Sequence, residues 1–134
     1  MLRHAIATLA LLLAALPHAG GAHAAEPKVR AELIANVGAV TPGQPFRAGL
    51  LQRITPHWHT YWKNPGDSGE PTRLTWTLPE GFTASDISWP LPDAIPVGPL
   101  MNYGYSDELL LPVTITPPTQ LDGDAVTLKV RADW

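Results

Sequence analysis

Leu109-Leu110-Leu111-Pro112-Val113-Thr114-Ile115 decides the class of this protein. Leu109, Leu111, Val113 and Ile115 recur at every second position, the period of a strand with one buried face. Pro112 carries no ladder donor, so this strand is expected at a sheet edge or at a bulge. Downstream, Thr116 to Asp124 reads as a connection. Val126, Leu128, Val130, Ala132 and Trp134 then alternate with Thr127, Lys129, Arg131 and Asp133, a second half-buried strand. That pattern is still running at Trp134, so the chain reads as a fragment.

Upstream, Asn102-Tyr103-Gly104-Tyr105 looks like a loop tip. The proline-rich segment Trp89 to Pro99 cannot lie in the middle of a sheet. Leu74, Trp76 and Leu78 mark a strand closed by Pro79-Glu80-Gly81, and Asn64-Pro65-Gly66-Asp67-Ser68-Gly69 is a dense loop signal. His57 to Trp62 alternates, with Trp58, Thr60 and Trp62 on one side and His57, His59 and Tyr61 on the other. Phe46, Ala48, Leu50 and Ile54 form a strand ended by Pro56. Val29, Ala31, Leu33, Ala35 and Val37 form the first, followed by a turn at Thr41-Pro42-Gly43. Fifteen prolines and eleven glycines are too many for a helical bundle. Roughly seven short strands at this spacing predict an all-β domain, an antiparallel β-sandwich of immunoglobulin-like type. There is no internal repeat.

The N-terminus has a different character. Arg3 precedes an uncharged apolar run from Ala5 to Leu16, Pro17 and Gly20-Gly21 break it, and Ala22-His23-Ala24 has the small-x-small form of a signal-peptidase site. Residues 1–24 are read as a secretory signal peptide cleaved after Ala24, with Ala25 as second choice. The alternative, a membrane anchor, needs a run long enough to cross ~30 Å of hydrocarbon, and this one is too short. Taking 24 from 134 residues leaves 110, enough for one domain, 25–134, incomplete at its C-terminal end. The mature part keeps eight of nine basic and all twelve acidic residues, a formal charge of −4. Without a basic run, nucleic acid and anionic membrane surfaces are poor partners. The absence of cysteine is unusual for an exported domain this small, where disulfides commonly reinforce the core.

Three motifs invite chemistry. Gly66-Asp67-Ser68-Gly69 matches the short signature around a serine-protease nucleophile, but a triad needs a far larger double barrel, and Glu70 stands where another glycine is expected; a turn is the better reading. His57 and His59, at i and i+2, are the only histidines outside the leader and would point the same way on a strand. Two ligands do not make a copper or zinc site, so no metal and no cofactor is expected. Trp58, Tyr61, Trp62, Trp76 and Trp89 would suit a sugar platform, or else the packing between two sheets.

The run from Pro56 to Gly69, Pro-His-Trp-His-Thr-Tyr-Trp-Lys-Asn-Pro-Gly-Asp-Ser-Gly, resembles the N-terminal domain of DsbD-type protein-disulfide reductases, in the branch of the suppressor-of-copper-sensitivity proteins. Pro71-Thr72, Trp89-Pro90-Leu91-Pro92, Pro96 to Leu100, Asn102 to Tyr105 and Arg131-Ala132-Asp133-Trp134 continue it, so it spans about Val29 to the end. The resemblance implies an immunoglobulin-like sandwich in the periplasm. That domain takes electrons from a thioredoxin-like domain of the same parent chain, which is anchored in the inner membrane, and passes them to periplasmic disulfide proteins. It further implies a cysteine pair just after the position of Trp134, so this chain carries no catalytic cysteine, and residues 1–134 should be inert in redox exchange. Asn102, Tyr103, Gly104 and Tyr105 fall where the family places a cap loop that covers its cysteines, the two rings sealing a thiol and Gly104 permitting the bend. The competing class is a non-enzymatic periplasmic binding module for copper or a glycan.

Overall fold

The strands form where alternation is strictest. A computed structural model describes residues 24–134, so the expected leader lies outside the described residues apart from Ala24. Nine strands occur among them: β1 (Val29–Ala35), β2 (Phe46–Ile54), β3 (Thr60–Gly66), β4 (Arg73–Thr77), β5 (Thr83–Ala84), β6 (Asp93–Val97), β7 (Leu100–Tyr105), β8 (Glu108–Thr116) and β9 (Lys129–Asp133). All pair antiparallel, in a four-stranded sheet β1-β2-β8-β5, a three-stranded sheet β3-β7-β6 and a ribbon β4-β9. This is the all-β sandwich expected.

The core lies on the inner face of β2 and β8. Their register sets Phe46 opposite Ile115, Ala48 opposite Val113 and Leu50 opposite Leu111, all six buried. Paired residues of an antiparallel ladder share a face, so these six form a continuous apolar surface. Leu74 of β4 packs on both halves of it, with Trp76 on the Phe46 half and Trp62, Trp89 and Ala132 on the Leu50 half. The ribbon and the three-stranded sheet thus supply the facing layer.

One buried position breaks the apolar rule. Gln52, 0 % exposed, stands on the inner face of β2. Its carbonyl accepts from Thr60 Oγ1 at 3.0 Å, and its amide donates to Thr72 Oγ1 at 3.3 Å. An amide has a donor and an acceptor to satisfy, and here each meets a hydroxyl of the opposite layer. Gln52 therefore ties β2 to the starts of β3 and β4.

Several local expectations change. Pro112 lies in an internal strand, yet its edge character survives. Its carbonyl accepts from Ser88 N at 2.8 Å, so its nitrogen side points away from β2, where β5 pairs only at Thr116 and Ile115. A missing donor costs nothing there. The proline-rich segment holds β6, at the outer edge of its sheet. The supposed loop tip Asn102–Tyr105 is instead strand, part of β7, which is central between β3 and β6. The turn lies earlier, at Gly98-Pro99 between paired Val97 and Leu100. Gly98 has φ +59°, a backbone conformation that glycine enters without the strain other residues incur. His57 to His59 is not strand: a turn closes from Trp58 N to Thr55 O at 3.0 Å, with His57 at φ +70°. Val126 and Leu128 pack on the core outside β9.

β1 is built as expected but not buried as expected. Leu33 pairs with Leu50 and so faces inward, yet it is 37 % exposed, and Ala31 and Ala35 are exposed beside it. Among the described residues, no strand of the second layer covers that strip. The outer edge of β9 is likewise unpaired.

Candidate functional site

β3 and β7 position the side chains of interest. Tyr61 pairs with Gly104 and Thr60 with Tyr105. A side chain at Gly104 would run into the Thr60 carbonyl oxygen, so glycine is required for close approach of two strands. Its backbone is ordinary extended strand, and the expected bend is absent.

The hairpin end of β7 is clamped by the 66–69 turn. Asp67 Oδ2 accepts from Met101 N at 2.7 Å, and Asp67 N donates to Met101 O at 3.0 Å. Asn102, almost wholly buried, accepts at Oδ1 from Ser68 N at 3.1 Å and Ser68 Oγ at 3.0 Å. Asp67 and Ser68 are therefore consumed in holding β7, and the turn reading replaces the protease signature.

The two tyrosines of the expected cap part company. Tyr105 is core: its hydroxyl donates to Pro90 O at 2.8 Å, and burial pushes its pKa up to about 12. Tyr103 is 40 % exposed, with Val97, Leu100 and Met101 exposed around the same hairpin. These side chains make the tip of a well-tied hairpin apolar. Sequence reasoning overlooked this hairpin, although Val97-Gly98-Pro99-Leu100 carries the signal for its turn.

On the other flank of Tyr61 stands Pro71, its partner in an isolated bridge. Here a cleft of about 620 Å³ opens, lined by Pro27, Lys28, His57, Trp58, His59, Tyr61 and the final Trp134. The His59 ring meets Tyr61 edge-on, centroids 5.0 Å apart, and Lys28 Nζ lies 5.7 Å over the Trp58 ring. Trp58 and Trp134 are both about half exposed. Trp62, Trp76 and Trp89 pack instead against the core, so the aromatic residues do not form one platform. No group of three or more potential metal ligands gathers among the described residues.

The comparisons settle the kinship. The family model described as "Thiol:disulfide interchange protein DsbD, N-terminal" matches residues 28–134. The chain belongs to the DsbD N-terminal domain family. No curated protein matches it. Among solved structures, the N-terminal periplasmic domain of ScsB from Proteus mirabilis is similar, with a TM-score of 0.56 and 21 % identity. The match covers 80 % of this chain and 45 % of that one. At this identity the likeness supports the fold alone, and the DsbD-type chain spans less than half of its structural relative. The family's immunoglobulin-like sandwich is the architecture seen, and its name ties the chain to thiol–disulfide interchange.

Proposed function

We propose that residues 25–134 are the scaffold and docking part of an exported, periplasmic protein-disulfide reductase domain whose cysteine pair lies beyond Trp134. In the parent, that pair receives electrons from a thioredoxin-like domain of the same membrane-anchored chain and reduces disulfides of periplasmic proteins. The family match through Trp134 carries the reading. The unpaired edge of β9 and the uncovered strip Ala31-Leu33-Ala35 support it, because both suit a further strand that would bring the cysteines back alongside β9.

On this reading the hairpin holding Asn102, Tyr103, Gly104 and Tyr105 is the cap. Tyr103 is its working ring, while Asn102, Gly104 and Tyr105 hold it: one by the Ser68 bonds, one by close strand approach, one by core packing. A cap built this way gains rigidity from its base and exchanges contacts at its exposed tip. The test is intact mass and thiol counting by maleimide labelling on the gene's product recovered from the periplasm. The expected product begins at Ala25 or Glu26, extends past Trp134 and gains two labels only after reduction. A product with Met1 retained, or with no thiol, would defeat the reading and leave the non-enzymatic binding module in its place.

A further inference from the structure

β1 is the outermost strand of the four-stranded sheet, and among the described residues its outer edge meets no other strand. Such an edge invites pairing, and folded proteins blunt it with a proline, a bulge, a lysine or a very short strand. β1 has none of these. Its seven residues, Val29 to Ala35, contain no proline, glycine or lysine and pair with β2 in unbroken register. The open donors and acceptors can be named. Lys28 O accepts from Thr55 N at 2.8 Å and Asn36 N donates to Arg47 O at 3.0 Å, so even-numbered residues turn their backbone groups to β2. Val29, Ala31, Leu33 and Ala35 therefore turn theirs to the open edge. All four side chains are apolar, and Ala31, Leu33 and Ala35 are exposed. The opposite face of β1 carries Arg30 and Glu32, both exposed, and then Ile34.

We propose that β1 pairs antiparallel with β1 of a second copy of this chain, with Ala31 on the two-fold axis. Charge selects this register. With Arg30 or Glu32 on the axis, each meets its own copy, and like charges directly opposite are destabilising. With Leu33 on the axis, Glu32 faces Ile34. With Ala31 on the axis, Arg30 of each copy stands opposite Glu32 of the other, so the favourable pair forms twice, as a self-complementary interface requires. Both side chains already hold exposed ion pairs, Arg30 with Glu26 and Glu32 with Arg53. Such pairs are weak and leave each group able to take a second partner. In this register the two Ala31 residues exchange both backbone bonds, and Val29 does the same with Leu33 of the second copy. Leu33, 37 % exposed, then has Val29 of the second copy beside it on the inner face. The two four-stranded sheets become one, continuous through the paired β1 strands. Nothing in this pairing depends on cysteine chemistry, so it goes beyond the reductase reading and stands or falls separately.

The experiment is sedimentation velocity of the full-length gene product over a concentration series, for wild type, Arg30→Glu, Glu32→Arg, the double exchange, and an equimolar mixture of the two single variants. Both positions are exposed, so the fold does not depend on them. The expected result is a reversible wild-type dimer whose dissociation constant rises roughly tenfold in each single variant, where like charges now meet twice. The double exchange restores opposite charges within one chain, and the mixture restores them between two chains. Both should return to wild-type dimerisation. Amide exchange of Ala31 and Leu33 should slow as concentration rises, while Arg30 and Glu32, bonded to β2, change little. A product that stays monomeric overturns the inference, including the case where the Ala31 amide is protected at every concentration because another segment of the same chain covers the edge. Single variants that dimerise as wild type does, or a mixture no better than its components, overturn it too, since the contact then lies elsewhere. None of these outcomes bears on whether the product carries cysteines, so the reductase reading is judged by its own test.

Discussion

Replacing Gln52 by methionine should cost about 2 kcal/mol of stability, although the two side chains are nearly the same size. In the structure the Gln52 amide bonds the hydroxyls of Thr60 and Thr72, themselves almost wholly buried. Methionine leaves both hydroxyls without that partner, at roughly 1–3 kcal/mol each. Against this stands the gain from burying a wholly apolar side chain, ~1.5–3 kcal/mol. The difference is a large share of the ~5–15 kcal/mol that holds a typical domain. It corresponds to a fall in Tm of roughly 8–16 °C. Urea unfolding gives the free energy directly. The companion variant, Gln52→Met with Thr60→Val and Thr72→Val, removes every polar member of the network together and should return to within about 1 kcal/mol of wild type. If Gln52→Met unfolds at the wild-type midpoint, or the triple variant is no better than the single one, the two layers are not tied through this amide.

Tyr105 should remain protonated until pH about 12, read from phenolate absorbance. Because its folded pKa lies above the ordinary value of 10.0, its contribution to stability is complete below pH 10 and is lost as pH rises from there through about 12. Tyr105→Phe should cost about 1 kcal/mol by urea unfolding, having orphaned the Pro90 carbonyl. Gly104→Ala drives a methyl group into the Thr60 carbonyl and should cost about 1–3 kcal/mol, with faster amide exchange along β3 and β7 as the residue-level readout. Residues 25–134 alone should melt lower and self-associate more than the full-length product in light scattering, and Leu33→Glu should reduce the association; equal, cooperative melting of both would refute this.

How far the sequence was legible follows from which forces act locally. The faces of β2 and β8 could be read because alternation at Phe46, Ala48, Leu50 and Leu109 to Ile115 is itself the cause of their burial. Gln52 could not be read as core, because its partners Thr60 and Thr72 come from other strands and only the fold brings them together. The alternation at His57 to Trp62 misled because a turn at Thr55–Trp58 competes with strand over so short a run. Gly104 suggested a bend, since glycine permits one, but packing against the Thr60 carbonyl is what requires it. The resemblance singled out Asn102 to Tyr105 as the expected cap segment; only side-chain contacts separate Tyr103, exposed, from Tyr105, buried. The cleft around His59 gathers the entry to β1, the turn and first residues of β3, and Trp134 just past β9, and had no signature beyond two histidines.

The most direct test of the reductase reading is covalent. The full-length product, reduced and carrying alanine in place of the second of the cysteines proposed past Trp134, is mixed with an oxidised periplasmic disulfide protein and resolved on a non-reducing gel. The account predicts a mixed disulfide that dithiothreitol releases, formed more slowly when Tyr103 at the exposed hairpin tip is replaced by alanine. A full-length product that forms no adduct with any periplasmic disulfide protein would contradict it.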